Sequence, residues 1–235
     1  MCGRFVQVSP FHVIAETFDI KGGPTELHPR YNVSPGQSVL AVIRHAGEDS
    51  NRLVQFQWGL IPSWSKDPAV GNRMINARAE TVAEKPGFRN AFRKRRCLVA
   101  ADGFYEWRRT GKTKTPFYAR LKTGRLMGFA GLYETWVSPG GEALQTCTII
   151  TTRANALLEA VHDRMPVIVP VNRQAPWLDP ALQDAGALIE WLEPYPPGEM
   201  EMYEVSRAVN FPRNDSPELI HPSAQNADGT SRVIR

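Results

Sequence analysis

The sequence has few cysteines and no long apolar segment. Its three cysteines, Cys2, Cys97 and Cys147, stand singly, with no C-x-x-C pair and no histidine pair at metal-ligand spacing. We therefore expect no structural zinc site and no disulfide scaffold, and we predict neither a metal nor a cofactor. No run of about eighteen apolar residues occurs, so no membrane association is expected. The first residues carry no targeting signature, which predicts a cytoplasmic protein.

The positive charge of the chain is concentrated in one segment. The 235 residues carry a formal net charge of +4, and residues 85–114 contain ten basic side chains but only two acids, Asp102 and Glu106. A basic face on a mildly basic protein fits a nucleic-acid backbone. Such a run is also commonly just a solvated surface. Charge alone leaves both interpretations open.

Short strand-like segments outnumber helical ones and follow one another without regular β-α alternation, which argues against a doubly wound sheet. We predict one α+β domain, built on a curved, mainly antiparallel β-sheet with short flanking helices, over residues 1–222, followed by a loose polar tail over 223–235. The predicted strands are 39–43, 54–58, 144–152, 166–171 and 202–205, with a hairpin of 116–121 and 125–133. The predicted helices are one capped by Ser9 before Pro10, and the segments 155–161 and 187–192.

Cys2 occupies an unusual position for a cysteine. A lone cysteine is ordinarily a small buried hydrophobe. Removal of Met1, which aminopeptidases perform when the second side chain is small, would however leave an α-amine and a thiol on one residue. The amine has an ordinary pKa of about 7.7–8.0, so part of it is neutral near neutral pH. A 1,2-aminothiol reacts with an aldehyde to give first a Schiff base and then a thiazolidine ring.

Three further side chains have the chemistry to assist such a reaction. Glu106 lies between Tyr105 and Trp107, an apolar setting that raises a carboxyl pKa and lets it hold or move a proton. His162 titrates near neutral pH and suits acid–base work on an imine. Asn76 can hydrogen-bond a developing oxyanion or the terminal amine. Each also has a structural interpretation, namely an arginine partner, a helix-end cap and a turn residue respectively.

Seven motifs occur in a fixed order along the chain. They are M-C-G-R-F, R-Y-N-V-S-P, W-G-L-I-P-S-W, I-N-A-R-A-E-T, R-R-C-L-V-A-A-D-G-F-Y-E-W, H-D-R-M-P and V-S-R-A-V-N. This order closely resembles the SOS-response-associated peptidase (SRAP) family, from Cys2 to about Pro222. The family includes proteins that shield abasic sites in single-stranded DNA.

The resemblance implies an α+β fold with a positively charged DNA channel that ends at the N-terminal cysteine. It implies that Cys2 captures the ring-opened aldehyde of an abasic site, that Asn76 and Glu106 line the pocket, and that His162 assists Schiff-base chemistry and reversal. The positions that it implies for DNA contact are Arg4, Arg78 and Arg164 on phosphates, Asn32 and Pro35 beside the channel, Trp64 against bases, and Lys85 near a phosphate-contacting position. One departure is Ser65, where some members carry a second tryptophan.

We therefore predict an enzyme of the DNA damage response, which senses abasic sites in single-stranded DNA and shields them by a thiazolidine crosslink through Cys2 after loss of Met1. Its chemistry would be lyase-like at the Schiff base. The expected partner is single-stranded DNA containing abasic sites, and the expected form is a cytoplasmic monomer, nucleoid-associated when bound to DNA. Two alternatives stay open. One is an N-terminal-nucleophile cysteine peptidase, whose action could be limited to self-removal of Met1. The other is a non-covalent single-strand binding module in which Cys2 has no role.

Overall fold

Strands make up most of the ordered elements in this computed structural model, which describes residues 2–23, 26–223 and 233–234. In chain order the strands are β1 (Phe5–Gln7), β2 (Arg30–Val33), β3 (Ser38–Ile43), β4 (Arg52–Trp58), β5 (Asn76–Arg78), β6 (Arg96–Ala101), β7 (Gly103–Thr110), β8 (Thr113–Leu121), β9 (Met127–Val137), β10 (Ala143–Arg153), β11 (Arg164–Pro166), β12 (Met200–Glu204) and β13 (Val233–Ile234). The α-helices are α1 (Phe11–Phe18), α2 (Arg89–Lys94), α3 (Val171–Leu178) and α4 (Ala185–Ile189).

The strands form two sheets. The first sheet has the order β13-β12-β8-β7-β1-β2 and pairs antiparallel throughout. The second has the order β11-β10-β4-β3-β6-β9, and β9 also pairs with β10. That extra pairing closes β10, β4, β3, β6 and β9 into a ring. Within it β10 runs parallel to β4, and β5 adds to β10 in parallel as well. The predicted α+β class with mainly antiparallel sheet is confirmed.

A shared hydrophobic core joins the two sheets. The strand β6 is buried at every position, and its side chains alternate between two clusters. Cys97 and Val99 face this inter-sheet core, whereas Leu98 faces an outer core that is covered by the helices. Phe5 of β1 packs edge-on against Trp58 of the second sheet, with ring centroids 5.1 Å apart. The first strand of the chain is thereby fixed against both sheets.

The predicted hairpin of 116–121 and 125–133 is wrong, although both segments are strands. The strand β8 pairs with β7 and β12 in the first sheet, and β9 pairs with β6 and β10 in the second. The turn at Gly124, with φ +66, therefore carries the chain from one sheet to the other. The tight hairpin joins β7 to β8 around Gly111, with φ +60. Apolar alternation identifies a strand but does not select its partner.

Three local predictions also need correction. Ser9 does not cap α1; its hydroxyl donates to the Asp102 carboxylate at 2.5 Å, and Pro10 is the capping residue. The predicted strand 166–171 ends at Pro166, and α3 begins at Val171 directly after Pro170, which has no N–H for a strand ladder. The predicted helix 155–161 is only a 3-10 turn, Leu158–Ala160.

Most of the predicted tail lies outside the described residues, and Val233–Ile234 pairs with Met202 and Tyr203 of β12. The division of the chain after residue 222 stays a prediction. In the part of the chain that the structure describes, every helix is too short or too polar to span a lipid bilayer.

Candidate abasic-site pocket

A basic pocket opens where the start of β1 meets β7. Its volume is about 590 Å³, within the range of ordinary ligand sites. The lining residues are Arg4, Glu106, Trp107, Arg109, Lys114, His162 and Asn210. Three of these side chains are cations, so the pocket favours an anionic ligand. It brings together three residues that the sequence analysis had singled out separately, namely Arg4, Glu106 and His162.

Cys2 lies in the inter-sheet core and its side chain is fully buried. Tyr105 donates its N–H to the Arg4 carbonyl at 2.9 Å, so this end of β1 runs antiparallel to β7 and places residues 2–3 opposite residues 106–107. Burial raises the pKa of the Cys2 thiol, and the negative charge of Glu106 raises it further. The thiol is therefore held in its protonated form beside the Glu106 carboxyl.

Glu106 is buried because of the alternation along β7. Phe104 faces the inter-sheet core and Tyr105 faces the opposite side, so Glu106 points inward again, with 2% of its surface exposed. Burial raises the pKa of this carboxyl to about 8. At neutral pH most of it is a carboxylic acid that can donate a proton. The flanking aromatic residues predicted this direction.

His162 is half-buried and is held in its neutral form. Its Nδ1 accepts the Arg164 backbone N–H at 3.0 Å and lies 2.9 Å from an Asp163 carboxylate oxygen. Burial lowers its pKa, although Asp163 opposes the shift. The residue can therefore act as a proton carrier in the pocket near neutral pH.

Asn76 begins β5 in the second sheet and is not among the residues that line the pocket. Trp58, which packs on Phe5, donates its indole N–H to the Ile75 carbonyl at 2.8 Å. The Asn76 amide nitrogen donates to the Ile149 carbonyl at 3.4 Å. Its Oδ1 is buried and accepts no hydrogen bond from the described residues. A buried amide oxygen in this state favours binding a donor, such as an ammonium or amine group.

Asn32 has a different place from the one expected beside a channel. Its side chain is 1% exposed, and its Oδ1 accepts from Arg4 Nη1 at 2.7 Å. The same Arg4 nitrogen donates to the Val209 carbonyl at 3.0 Å, and the guanidinium stacks over the Trp107 ring. Asn32 therefore positions Arg4, which lines the pocket, and is itself inaccessible to DNA.

The remaining predicted DNA contacts differ in accessibility. Trp64 is 67% exposed, and Arg78, Lys85 and Pro35 are exposed as well. Arg164 is different because both of its terminal nitrogens contact the Glu80 carboxylate, at 2.5 and 3.0 Å.

Arg78 and Arg164 flank the strand β10. Arg78 lies opposite Thr151 in the parallel pairing, and Arg164 lies opposite Arg153 in the antiparallel pairing. The two arginines therefore belong to one neighbourhood, but only Arg164 is engaged by an ion pair with Glu80.

The pocket contains cations that the sequence analysis did not select. Arg109 and Lys114 lie directly opposite each other in the β7–β8 hairpin. Like charges at such a pair destabilise a sheet, so their juxtaposition favours a role in anion binding. Both belong to the basic run of residues 85–114, and this run was the available signal. The hairpin that directs them into one pocket had been predicted with the wrong partner strand.

Comparisons with known proteins agree with one another. The protein called abasic site processing protein YoqW, from Bacillus subtilis (strain 168), is 50% identical over 223 residues, which cover 94% of this chain and 99% of that protein. The abasic site processing protein HMCES of Xenopus tropicalis is 33% identical, covering 85% of this chain and 68% of that protein. A crystal structure of a Bacteroides thetaiotaomicron protein superposes with a TM-score of 0.84 at 26% identity, over 95% of this chain and all of that one.

A family model for SOS response associated peptidase (SRAP) matches residues 1–212, nearly the whole chain. The match includes every residue that lines the pocket. This chain belongs to the SRAP family.

Proposed function

We propose that this protein processes abasic sites in single-stranded DNA by capturing the ring-opened aldehyde on Cys2, once Met1 has been removed. The observation that carries the proposal is that Glu106 and His162 line one basic pocket, while Cys2 lies buried next to Glu106. Relatives that are named abasic site processing proteins make an abasic sugar the leading candidate ligand. Met1 itself lies outside the described residues.

The proposed covalent step is a condensation between Cys2 and the aldehyde of the opened sugar. The neutral α-amine of Cys2 adds to the aldehyde carbon of the opened sugar, and the resulting carbinolamine loses water to give an imine. The Cys2 sulfur then adds to the imine carbon while its proton moves to the nitrogen, which closes a thiazolidine ring. One C–N bond and one C–S bond form, and one water leaves. No oxidant or cofactor is required.

Glu106 and His162 suit different proton transfers in this sequence. Loss of water from the carbinolamine needs a proton on the departing oxygen, and the Glu106 carboxylic acid, with its pKa raised to about 8 by burial, can donate one. Opening of the adduct needs a proton moved at the sugar side. The neutral His162, with its pKa lowered by burial, suits that transfer near neutral pH. The buried oxygen of Asn76 suits a hydrogen bond from the amine.

Single-stranded DNA fits the surroundings of the pocket better than duplex DNA does. Arg4, Arg109 and Lys114 can bind phosphates without reading bases. The exposed ring of Trp64 can stack on an unpaired base, which a duplex would not offer. Recognition would then depend on the lesion and on strandedness, and not on base sequence.

A peptidase activity is the second candidate, favoured by the family description. A cysteine peptidase uses a thiolate, but burial and Glu106 both raise the pKa of the Cys2 thiol. The raised pKa disfavours a peptidase that attacks other substrates, and the remaining form of this candidate is self-removal of Met1. Protein synthesised with aminopeptidase inhibited would retain Met1 if removal is not autocatalytic.

The proposal is tested by intact-mass measurement after mixing the protein with an oligonucleotide that contains one abasic site. The expected product has the mass of the Met1-free protein plus the DNA minus one water. Cys2→Ala and Cys2→Ser should both give no heat-stable adduct, because neither can close the thiazolidine. Their reversible affinity for the strand should stay within about two-fold of the parent, since phosphate contacts supply most of it.

An uncleaved N-terminal tag provides the matched control. Such a protein keeps the Cys2 thiol but has no free α-amine on that residue, so it should bind and not crosslink. A normal adduct yield from this protein, confirmed unprocessed by mass, or from Cys2→Ala would show that the aminothiol chemistry is wrong.

A further inference from the structure

An exposed aromatic side chain lies next to the pocket on the loop of residues 206–215, here called the Phe211 loop. Phe211 is 67% exposed, as much as Trp64. A single exposed apolar side chain does not by itself mark a binding site, but this residue directly follows Asn210, which lines the pocket. We infer that Phe211 is a stacking platform for a nucleobase of the single strand adjacent to the abasic nucleotide. This inference rests on the proposed function and adds a base-binding subsite to it.

The Phe211 loop is fixed from below by a buried side chain. The amide nitrogen of Asn32 donates to three of its carbonyls, those of Val209 at 3.3 Å, Phe211 at 3.1 Å and Asn214 at 2.8 Å. Asn214 in turn donates to the Ala208 carbonyl at 2.8 Å. The backbone is therefore held in one arrangement while the Phe211 ring faces solvent. Because the backbone that carries the ring is already fixed, less entropy is lost when a base stacks on the ring.

The loop is also tied to the pocket wall. Trp107 donates its indole N–H to the Asn210 side chain at 2.6 Å, and both residues line the pocket. Arg4, another lining residue, donates to the Val209 carbonyl at 3.0 Å. Phe211 directly follows Asn210 in the chain, so its backbone adjoins the wall of the cavity that Glu106 and His162 also line.

The charge around the ring selects a nucleic acid over an apolar protein partner. Arg207 and Arg213, on the same loop, are exposed, and the pocket beside it contains further cations. A single exposed aromatic ring among cations matches a strand of alternating phosphates and bases. Against an apolar protein surface, those cations would lose hydration without gaining an opposite charge.

The test is a double-mutant cycle that combines Phe211→Ala in the protein with removal of single bases from the oligonucleotide. The ligand is a single-stranded oligonucleotide with a tetrahydrofuran spacer at the lesion position, which has no aldehyde and binds without crosslinking. A second spacer then replaces each of the three flanking nucleotides on either side in turn. In the parent protein, loss of the base that stacks on Phe211 should weaken binding by about 5- to 100-fold. Phe211→Ala should bind the single-spacer strand more weakly by a similar factor, and should be indifferent to the second spacer at that position.

Two variants control for indirect effects. Phe211→Trp keeps a stacking surface and should retain parental affinity and sensitivity to the second spacer. Val171→Ala removes an apolar side chain of similar exposure, 71%, on α3 and should change neither. Folding of Phe211→Ala should be unaffected, since the loop is held through the Phe211 backbone carbonyl. If no flanking position loses its effect in Phe211→Ala, the inference is wrong. Crosslinking of a true abasic site by the parent is scored separately, so failure of the proposed function is recognised independently.

Discussion

Two sets of residues, here called the floor and the rim, differ in their exposure to solvent. The floor groups, Cys2, Glu106 and His162, are buried or half-buried, and burial shifts the pKa of each toward its neutral form. The rim side chains are those predicted to contact DNA, such as Trp64 and Arg78, and they are exposed. Burial limits water around the groups that we propose to move protons, whereas the side chains that we propose to bind the strand stay in contact with solvent.

This difference separates chemistry from affinity. Changes at the floor should alter rates of bond formation and breakage with small effects on reversible binding. Changes at the rim should alter affinity and its salt dependence, and leave the chemical step of bound DNA near the parental rate.

Glu106→Gln should give the largest kinetic effect among the assisting residues. The amide cannot donate the proton that loss of water requires, so adduct formation should slow by about 10²–10⁴-fold. In the parent, the formation rate should rise to a maximum near pH 8 and decline above it, because the neutral amine increases with pH while the Glu106 carboxylic acid is lost. Single-turnover crosslinking followed across pH checks both points. A parental rate, or an unchanged decline near pH 8 in the variant, would contradict the role.

The Glu106→Gln substitution should also change the free energy of unfolding in a direction that follows from the raised pKa of Glu106. Between pH of about 4.5 and 8 the folded state keeps a proton on Glu106 that the unfolded state has lost, so the parent loses stability as pH rises through this window. Gln cannot titrate. The variant should therefore gain stability relative to the parent across the window, by no more than about 5 kcal/mol. Denaturant unfolding at pH 5 and pH 8 measures this difference. If Glu106 were instead an ionised partner of an arginine, the Gln variant should be less stable than the parent at pH 8.

His162→Ala should act on the opposite direction of the reaction. We expect near-parental binding and formation, with opening and release of the adduct slowed by about 10²–10⁴-fold. The measurement is transfer of crosslinked protein to an excess of competitor DNA over time. His162→Gln serves as the matched variant, since it can replace the hydrogen bond to the Arg164 N–H but cannot carry a proton. Parental release from both variants would make His162 a structural residue.

The sequence predicted the floor better than the rim, for a physical reason. A carboxylate between two aromatic residues is recognisable locally, and its raised pKa follows from its neighbours along the strand. The strand β8 has a turn at each end, at Gly111 toward β7 and at Gly124 toward β9, and apolar alternation does not select which neighbour pairs with it. The hairpin that brings Arg109 and Lys114 together was therefore not predicted. Asn32 shows the same limit. Its motif identified the residue, but only the tertiary structure shows that its amide holds the Phe211 loop.

The smallest predicted effect concerns Arg78 and Arg164, for which the family resemblance implied the same phosphate-binding role. Arg78 is exposed, whereas Arg164 is paired with Glu80, so a phosphate that binds Arg164 must compete with a carboxylate already in place. Arg78→Gln should weaken reversible binding about three- to ten-fold and reduce the salt slope by about 0.7, the value of one phosphate contact on a single strand. Arg164→Gln should have less effect. In a Glu80→Gln background the competing charge is gone, although Arg164 Nη2 still donates to the Thr151 carbonyl. The effect of losing Arg164 should then rise toward that of losing Arg78. Equal effects of both arginines in the parent, or binding that is flat with salt, would remove the distinction between them.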